Sequence, residues 1–173
     1  FEKNDFDGLD DFLAYFQNTM LQMRDSNLPV IAAPVGMSIG GGFEVVLHAD
    51  HVVSHANSVM GLVESFVGVV PAGGGCKEML YRWTEKLNDT QKGAWKSFMN
   101  IGLGRKANSP QEADALSMRR PGDTFQMNRD RILNAALSTI DITKKVGKRK
   151  PLALSGAEHY QEMLEWLEVN HKK

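Results

Sequence analysis

The sequence predicts a mixed α/β fold over residues 1–106 and a helical region over residues 107–173, and three observations predict it. Wholly apolar runs too short for helices, Val30-Ile31-Ala32-Ala33 and Val52-Val53, read as strands buried on both faces, as in a parallel or spiral sheet. Two glycine-rich stretches, residues 36–42 and 71–75, each turn the chain into a helix. Beyond Thr84 the strand-like runs stop, and apolar residues recur at helical spacing instead.

The elements follow in order. Leu9, Phe12, Leu13, Phe16, Met20 and Met23 share one helical face, so a helix is expected over about residues 8–24, capped by Asp5 or Asp7 and ended before Pro29. A buried strand at 30–33, a glycine turn at 36–42 and a helix at 43–48 come next, then a second strand at 52–53. Residues 60–70 are apolar around one carboxylate, Glu64, and the 71–75 turn leads to a helix at 76–83. A helix is expected near 91–99. Ser109-Pro110-Gln111-Glu112 has a capping serine, proline in the first position and an acid on the first turn, which predicts a helix to about Met118. A longer helix is expected over 126–145, with Ile132, Leu133, Ala136, Leu137 and Ile140 inward. A basic break at 147–151 precedes a last amphipathic helix at 156–169, whose apolar face suits a subunit contact.

Composition narrows the function. The chain has 173 residues, 20 basic and 21 acidic, for a net charge of -1. That balance gives no footprint for nucleic acid or an anionic membrane surface. The single cysteine, Cys76, forbids an internal disulfide and fits a reducing compartment, so a cytoplasmic location is expected. No apolar run approaches the roughly 18 residues that span a bilayer. The first residues lack an initiator Met and a targeting pattern, so the chain is expected to begin inside a longer protein.

Two carboxylates and the glycine turns carry the chemistry. Gly40-Gly41-Gly42 opens a helix, where free backbone N–H groups suit an anion or a developing oxyanion; a plain tight turn needs the same glycines. Glu44 lies on the first turn of that helix, as a working acid/base group or as a dipole-complementing surface residue. Glu64 sits among Gly61, Leu62, Val63, Phe66 and Val67. If it points inward its pKa rises toward the range a general acid/base needs, and if outward it is solvated.

The run Leu28-Pro29-Val30-Ile31-Ala32-Ala33, then Gly36, then Gly40-Gly41-Gly42-Phe43-Glu44, then Asp50, Met60-Gly61-Leu62-Val63-Glu64 and Gly68-Val69-Val70-Pro71-Ala72-Gly73-Gly74-Gly75 resembles the crotonase (enoyl-CoA hydratase/isomerase) superfamily in motif order. The resemblance covers about residues 28–81 and, more weakly, 109–115. It implies the C-terminal part of a crotonase-type ββα spiral, followed by the helical region. It implies that Gly41 supplies one oxyanion-hole N–H, that Glu44 and Glu64 hold and activate water, and that Gly40, Ala72 and Gly73 contact the substrate. The implied reaction is hydration of a 2-enoyl-CoA in fatty-acid β-oxidation. The form of residues 60–64 and the run Met127-Asn128-Arg129-Asp130-Arg131 resemble the hydratase part of bifunctional 3-hydroxyacyl-CoA dehydrogenases. The segment itself then needs no cofactor beyond its CoA thioester substrate, and NAD belongs to an upstream dehydrogenase domain. Partners implied are acyl-CoA and either a second copy of the chain or that upstream domain.

Two departures stand out. The second oxyanion donor of the family comes from a loop upstream of Phe1, so these 173 residues alone are expected to lack measurable hydratase activity. Ala72 stands where many hydratases have glycine. The alternatives are a double-bond isomerase, which usually needs only the carboxylate at Glu64, and a non-catalytic assembly module of the same ancestry. His48, His51 and His55 straddle a helix-to-strand junction, and no metal site is expected from them. Cys76 is expected to be a small packed residue. The basic run at 144–150 is expected to be solvated surface, and Trp83, Trp95 and Trp166 packing residues.

Overall fold

The computed structural model of the chain describes residues 5–154 and 156–170. Helix α1 (Phe6–Asp25) opens the fold, capped by the Asp5 side chain, which accepts from the Gly8 N–H at 2.9 Å. Of its apolar stripe only Met20 is buried; Phe6, Phe12 and Tyr15 stand exposed. The helical period was thus correct, but the face it marks is mostly not against this chain's core.

Two three-stranded sheets follow. The first is β1 (Ile31–Ala32), β3 (His51–His55) and β6 (Thr124–Gln126), all parallel, with β3 central. The second is β2 (Met37–Ile39) and β4 (Val59–Gly61), parallel, with β5 (Lys106–Ala107) antiparallel to β4. β2 occupies what reads in sequence as the first half of a glycine turn: Met37-Ser38-Ile39 extends between Gly36 and Gly40, which turn the chain at its two ends with φ of 94° and 56°. The boundary expected between residues 106 and 107 falls within β5, and β6 joins the sheet of β1 and β3.

α2 (Gly41–His48) and α3 (Gly75–Leu87) cover the sheets. Phe43, Leu47, Val52, Met60 and Met79 are essentially inaccessible and form the core with Trp83, Ala107 and Met118. α4 (Thr90–Gly102) lies along α3 so closely that a Cβ on Gly93 would come within 2.6 Å of Thr84 Oγ1. α5 (Pro110–Ala115) starts as expected, with Ser109 Oγ accepting from the Glu112 N–H, but ends at Ala115, three residues early.

The long helix expected over 126–145 does not form. Residues 124–126 pair with β3, a 3-10 turn covers Arg129–Arg131, α6 spans only Ile132–Ser138, and another 3-10 turn covers Ile140–Ile142. Ser138 and Thr139 sit at the break, each with its hydroxyl donating to a carbonyl three residues back; such local bonds compete with the helical ladder. Ile132 and Ala136 point inward as expected, whereas Leu133, Leu137 and Ile140 are exposed. α7 (Ala157–Asn170) turns Trp166 onto Trp95 and Phe98 of α4, so part of the face expected to meet another subunit meets this chain instead. Within the 144–150 run, Lys145 pairs with Asp50 at 2.7 Å and Arg149 with Glu78 at 2.9 Å. Two of its cations are therefore anchors rather than solvated surface. No helix among the described residues is long and apolar enough to cross a membrane.

Candidate active site

The N-termini of α2 and α3 converge on the two carboxylates. β2 delivers the chain to Gly40, whose N–H donates to the Gly61 carbonyl at 2.9 Å and whose own carbonyl accepts from Phe43 and Glu44. Its left-handed φ and a ψ of −135° suit glycine. Gly41 is then the first helical residue, so its N–H has no acceptor within α2 and projects from the helix end. Glu44 follows one turn later and is 2% exposed.

A second glycine turn grips Glu44. The Gly75 N–H donates to Glu44 Oε1 at 2.7 Å, and the N–H groups of Gly73 and Gly74 favour the same carboxylate. A Cβ on Gly75 would lie 2.9 Å from Glu44 Oε1, and one on Gly73 2.8 Å from Oε2, so both glycines permit a close approach of backbone to carboxylate. Burial nevertheless dominates and pushes the Glu44 carboxyl above its ordinary value, against these N–H groups and with help from the negative charge of Glu64.

Glu64 begins a 3-10 turn (Glu64–Val67) fastened to α4 by the Ser65 hydroxyl, which donates to the Ile101 carbonyl at 2.9 Å. Both Glu64 carboxylate oxygens are buried with no hydrogen-bond partner among the described residues. Oε1 faces Gly40, 3.5 Å from where a Cβ there would stand. A pair of carboxylates, one gripped and one with its lone pairs unused, beside a helix end with a spare N–H, can hold a polar molecule and pass protons to and from it.

The three expected site glycines, Gly40, Gly41 and Gly73, and both glutamates thus come together, and Gly75 joins them. Ala72 also lies there, but through its backbone: its carbonyl accepts from Gln17 Nε2 at 2.7 Å. Gln17 and Phe16 of α1 went unrecognised in sequence. The Phe16 ring lies against Gly41, 3.7 Å from a notional Cβ, and a Cβ on Gly73 would collide with it. Phe16 reads in sequence only as one more apolar residue of a helix stripe, because its partners are more than 20 residues away.

The remaining candidates separate. Nδ1–H of His48 donates to the Glu44 carbonyl at 2.8 Å; His51 lies 3.6 Å from Asp123; His55 reaches the Met127 carbonyl. Cys76 is exposed rather than packed, on the first turn of α3. Partial burial, with Glu44 and Glu64 nearby, pushes its thiol up to about 11, which suits a bystander and not a nucleophile.

The family model described as enoyl-CoA hydratase/isomerase matches residues 7–87. Over 151 residues the chain is 34% identical to a probable 3-hydroxyacyl-CoA dehydrogenase of Bacillus subtilis, covering 87% of this chain and 19% of that protein. It is 30% identical over 147 residues to a putative fatty acid oxidation complex trifunctional enzyme of Rickettsia felis, covering 84% of this chain and again 19% of the relative. The chain therefore spans about a fifth of these curated relatives. Among solved structures, an enoyl-CoA hydratase from Bacillus anthracis superposes with a TM-score of 0.66 at 21% identity, over 82% of this chain and 50% of that one. That likeness bears out the α/β architecture and its placement as part of a crotonase-type fold.

Proposed function

We propose that this chain, whose residues 7–87 match the family model described as enoyl-CoA hydratase/isomerase, carries acid/base groups for adding water to a 2-enoyl-CoA. The observation that carries the reading is the unequal carboxylate pair: Glu44 is buried and gripped by Gly75, whereas Glu64 is half-buried and its two buried oxygens have no partner among the described residues.

In this reading the Gly41 N–H donates a hydrogen bond to the thioester carbonyl oxygen and so draws charge from the double bond. Water held between Glu44 and Glu64 attacks the β-carbon while one carboxylate takes its proton. The electron pair of the double bond moves onto the thioester as an enolate. The other carboxyl, protonated at the outset, delivers its proton to the α-carbon, which restores the carbonyl and leaves the 3-hydroxyacyl-CoA. One proton is taken and one given, so the pair ends a cycle with its roles exchanged and is reset by proton exchange with solvent. Burial raises the Glu44 pKa toward the value such a group needs.

The product of this step is a 3-hydroxyacyl-CoA, the substrate class named for the Bacillus subtilis relative. We accordingly place the segment in a larger β-oxidation protein, with NAD used by a separate dehydrogenase domain and a second copy of the chain as a partner. A reducing compartment such as the cytoplasm suits its single thiol.

The test is the full-length protein with Glu64→Gln, assayed on 2-butenoyl-CoA. A drop of at least about 100-fold in kcat is expected, in line with loss of a general acid/base; retention of the parent rate sinks the proposal. The isomerase alternative is favoured by one observation: of the two carboxylates, Glu44 is held by Gly75, whereas both Glu64 oxygens lack a partner among the described residues. It requires 3-enoyl-CoA conversion that survives Glu44→Gln and is lost in Glu64→Gln. If changing both carboxylates together leaves every activity intact, the segment is an assembly module instead.

A further inference from the structure

The far end of α3 borders a cavity that is independent of the carboxylate site. Arg82 lies seven residues beyond Gly75, about 10 Å along the helix. Around it a space of about 400 Å³ opens between the last turns of α3, the end of α5 and residues 117–123. That volume is in the range of small-ligand sites.

The charges lining it do not balance. Four cations face it, Arg82, Lys86, Arg119 and Arg120, against three acids, Glu85, Asp114 and Asp123. Each acid is engaged. Asp114 pairs with Arg119 at 3.2 Å and Glu85 with Arg149 at 3.5 Å. The Asp123 carboxylate accepts the N–H groups of Val52 at 2.9 Å and Arg120 at 2.6 Å.

Arg82 is left over. It is only 4% exposed, and its guanidinium donates to the carbonyls of Leu47 and Met118 at 3.1 Å each. Among the described residues no carboxylate comes within 4.0 Å of it. Two carbonyl dipoles, one near the C-terminus of α2, offset part of its charge; a buried charge ordinarily has a full counter-ion. Desolvation, and then the charge of Arg120, pushes Arg82 down to about 9, against the opposing pull of the more distant Asp123 and Glu78 carboxylates.

Ser117 adds a different kind of signal from the same wall. Its φ is 55°, left-handed for a residue with a side chain, and its hydroxyl is buried with no hydrogen-bond partner among the described residues. Backbone strain of that kind gathers at ligand clamps and switch points.

We propose that this cavity binds a compact oxyanion of the phosphate class, whose negative charge balances Arg82 and whose oxygens Lys86, Arg119 and Ser117 hold. Bound there, the anion joins α3 to the 117–123 segment and so to β6, at the opposite end of α3 from Glu44.

The test is a titration of the native full-length protein with inorganic phosphate, against sodium chloride at matched ionic strength, read by calorimetry and by melting temperature. The expected result is saturable binding at one site with a rise in melting temperature that chloride does not reproduce. Lys86→Gln removes a cation from an exposed position, and Ser117→Gly removes the hydroxyl while relieving the left-handed backbone. Each should weaken phosphate binding by about tenfold, the loss of one charge-assisted hydrogen bond or its neutral counterpart at the strong end. A parallel titration with coenzyme A identifies the source: if its binding weakens in both variants the phosphoryl group is the substrate's own, and if only inorganic phosphate responds the ligand is free phosphate. Either result supports the site. No phosphate-specific effect, or binding unchanged in both variants, overturns it.

Discussion

Gly75→Ala tests the grip on Glu44 most directly. A Cβ at this position meets Glu44 Oε1 at 2.9 Å, Pro71 Cβ at 2.9 Å and Leu62 Cδ1 at 3.0 Å. Three such approaches from three directions cannot be relieved by one rotation, so the carboxylate or the turn must shift. Overpacking of this kind costs about 1–3 kcal/mol, and the stiffer unfolded chain returns about 0.4–1 kcal/mol. The expected net loss of stability is therefore about 1–2 kcal/mol, and the protein should still fold. Activity should suffer more. A hydrogen bond to a charged group contributes about 1.5–3 kcal/mol, which corresponds to about 10- to 150-fold in kcat/KM if the Gly75 N–H no longer holds Glu44 in place. The assay is hydration of 2-butenoyl-CoA by the full-length protein, with a melting curve on each variant. Gly102→Ala is the control, because a Cβ there meets nothing within 4 Å. A folded Gly75→Ala protein with the parent kcat/KM would refute the idea that this bond positions the carboxylate.

Three other outcomes are expected. Burial raises the folded pKa of Glu44, so the group contributes stability at acid pH that is lost as pH rises through that folded value; Glu44→Gln should raise the melting temperature near pH 7, and the advantage should vanish as pH falls toward about 4.5. Burial pulls Glu78 upward, but Arg149, His48, Lys77 and Arg82 outweigh it and hold the carboxyl below its usual value. Its contribution is therefore present above the unfolded value and is lost as pH falls through the lower folded one. Glu78→Gln should destabilise by about 3–5 kcal/mol at pH 7 in chemical denaturation, because it removes the buried negative charge that Arg149, Arg120 and Arg24 share. Phe16→Ala should lower stability by about 2 kcal/mol, roughly half the value for a fully buried ring; it should also lower kcat/KM for 2-butenoyl-CoA, since the ring lies on Gly41 and Gly73. An unchanged kcat/KM would remove Phe16 from the site.

Local chemistry was legible in the sequence, and distant pairing was not. Gly40, Gly41 and Glu44 lie within one turn of one helix, so their relation follows from helical geometry alone. Glu64 was conspicuous because its neighbours are apolar, and it is indeed buried at its carboxylate oxygens. The strand at Met37–Ile39 was hidden because its hydrogen bonds run to Val59–Gly61, and three residues between glycines carry no period to detect. The helix expected over 126–145 failed for a related reason: residues 124–126 find a partner in β3, and Ser138 and Thr139 turn their hydroxyls onto the backbone. Phe16 and Gln17 touch the 71–75 turn from more than 50 residues away, a relation that no window of local sequence contains.

The place of β6 has a consequence for how the chain reaches its structure. β3 is central in its sheet only because Thr124 lies beside Val53 and Gln126 beside His55, a span of 71 residues. Contacts so distant along the chain form late and slow the folding rate. Until residue 126 has emerged and docked, one side of β3 presents unpaired backbone groups, the geometry through which nascent or truncated chains join edge to edge. A chain cut before Thr124 retains Glu44, Glu64 and both glycine turns yet should self-associate, so solubility and not chemistry sets how far the C-terminus can be shortened.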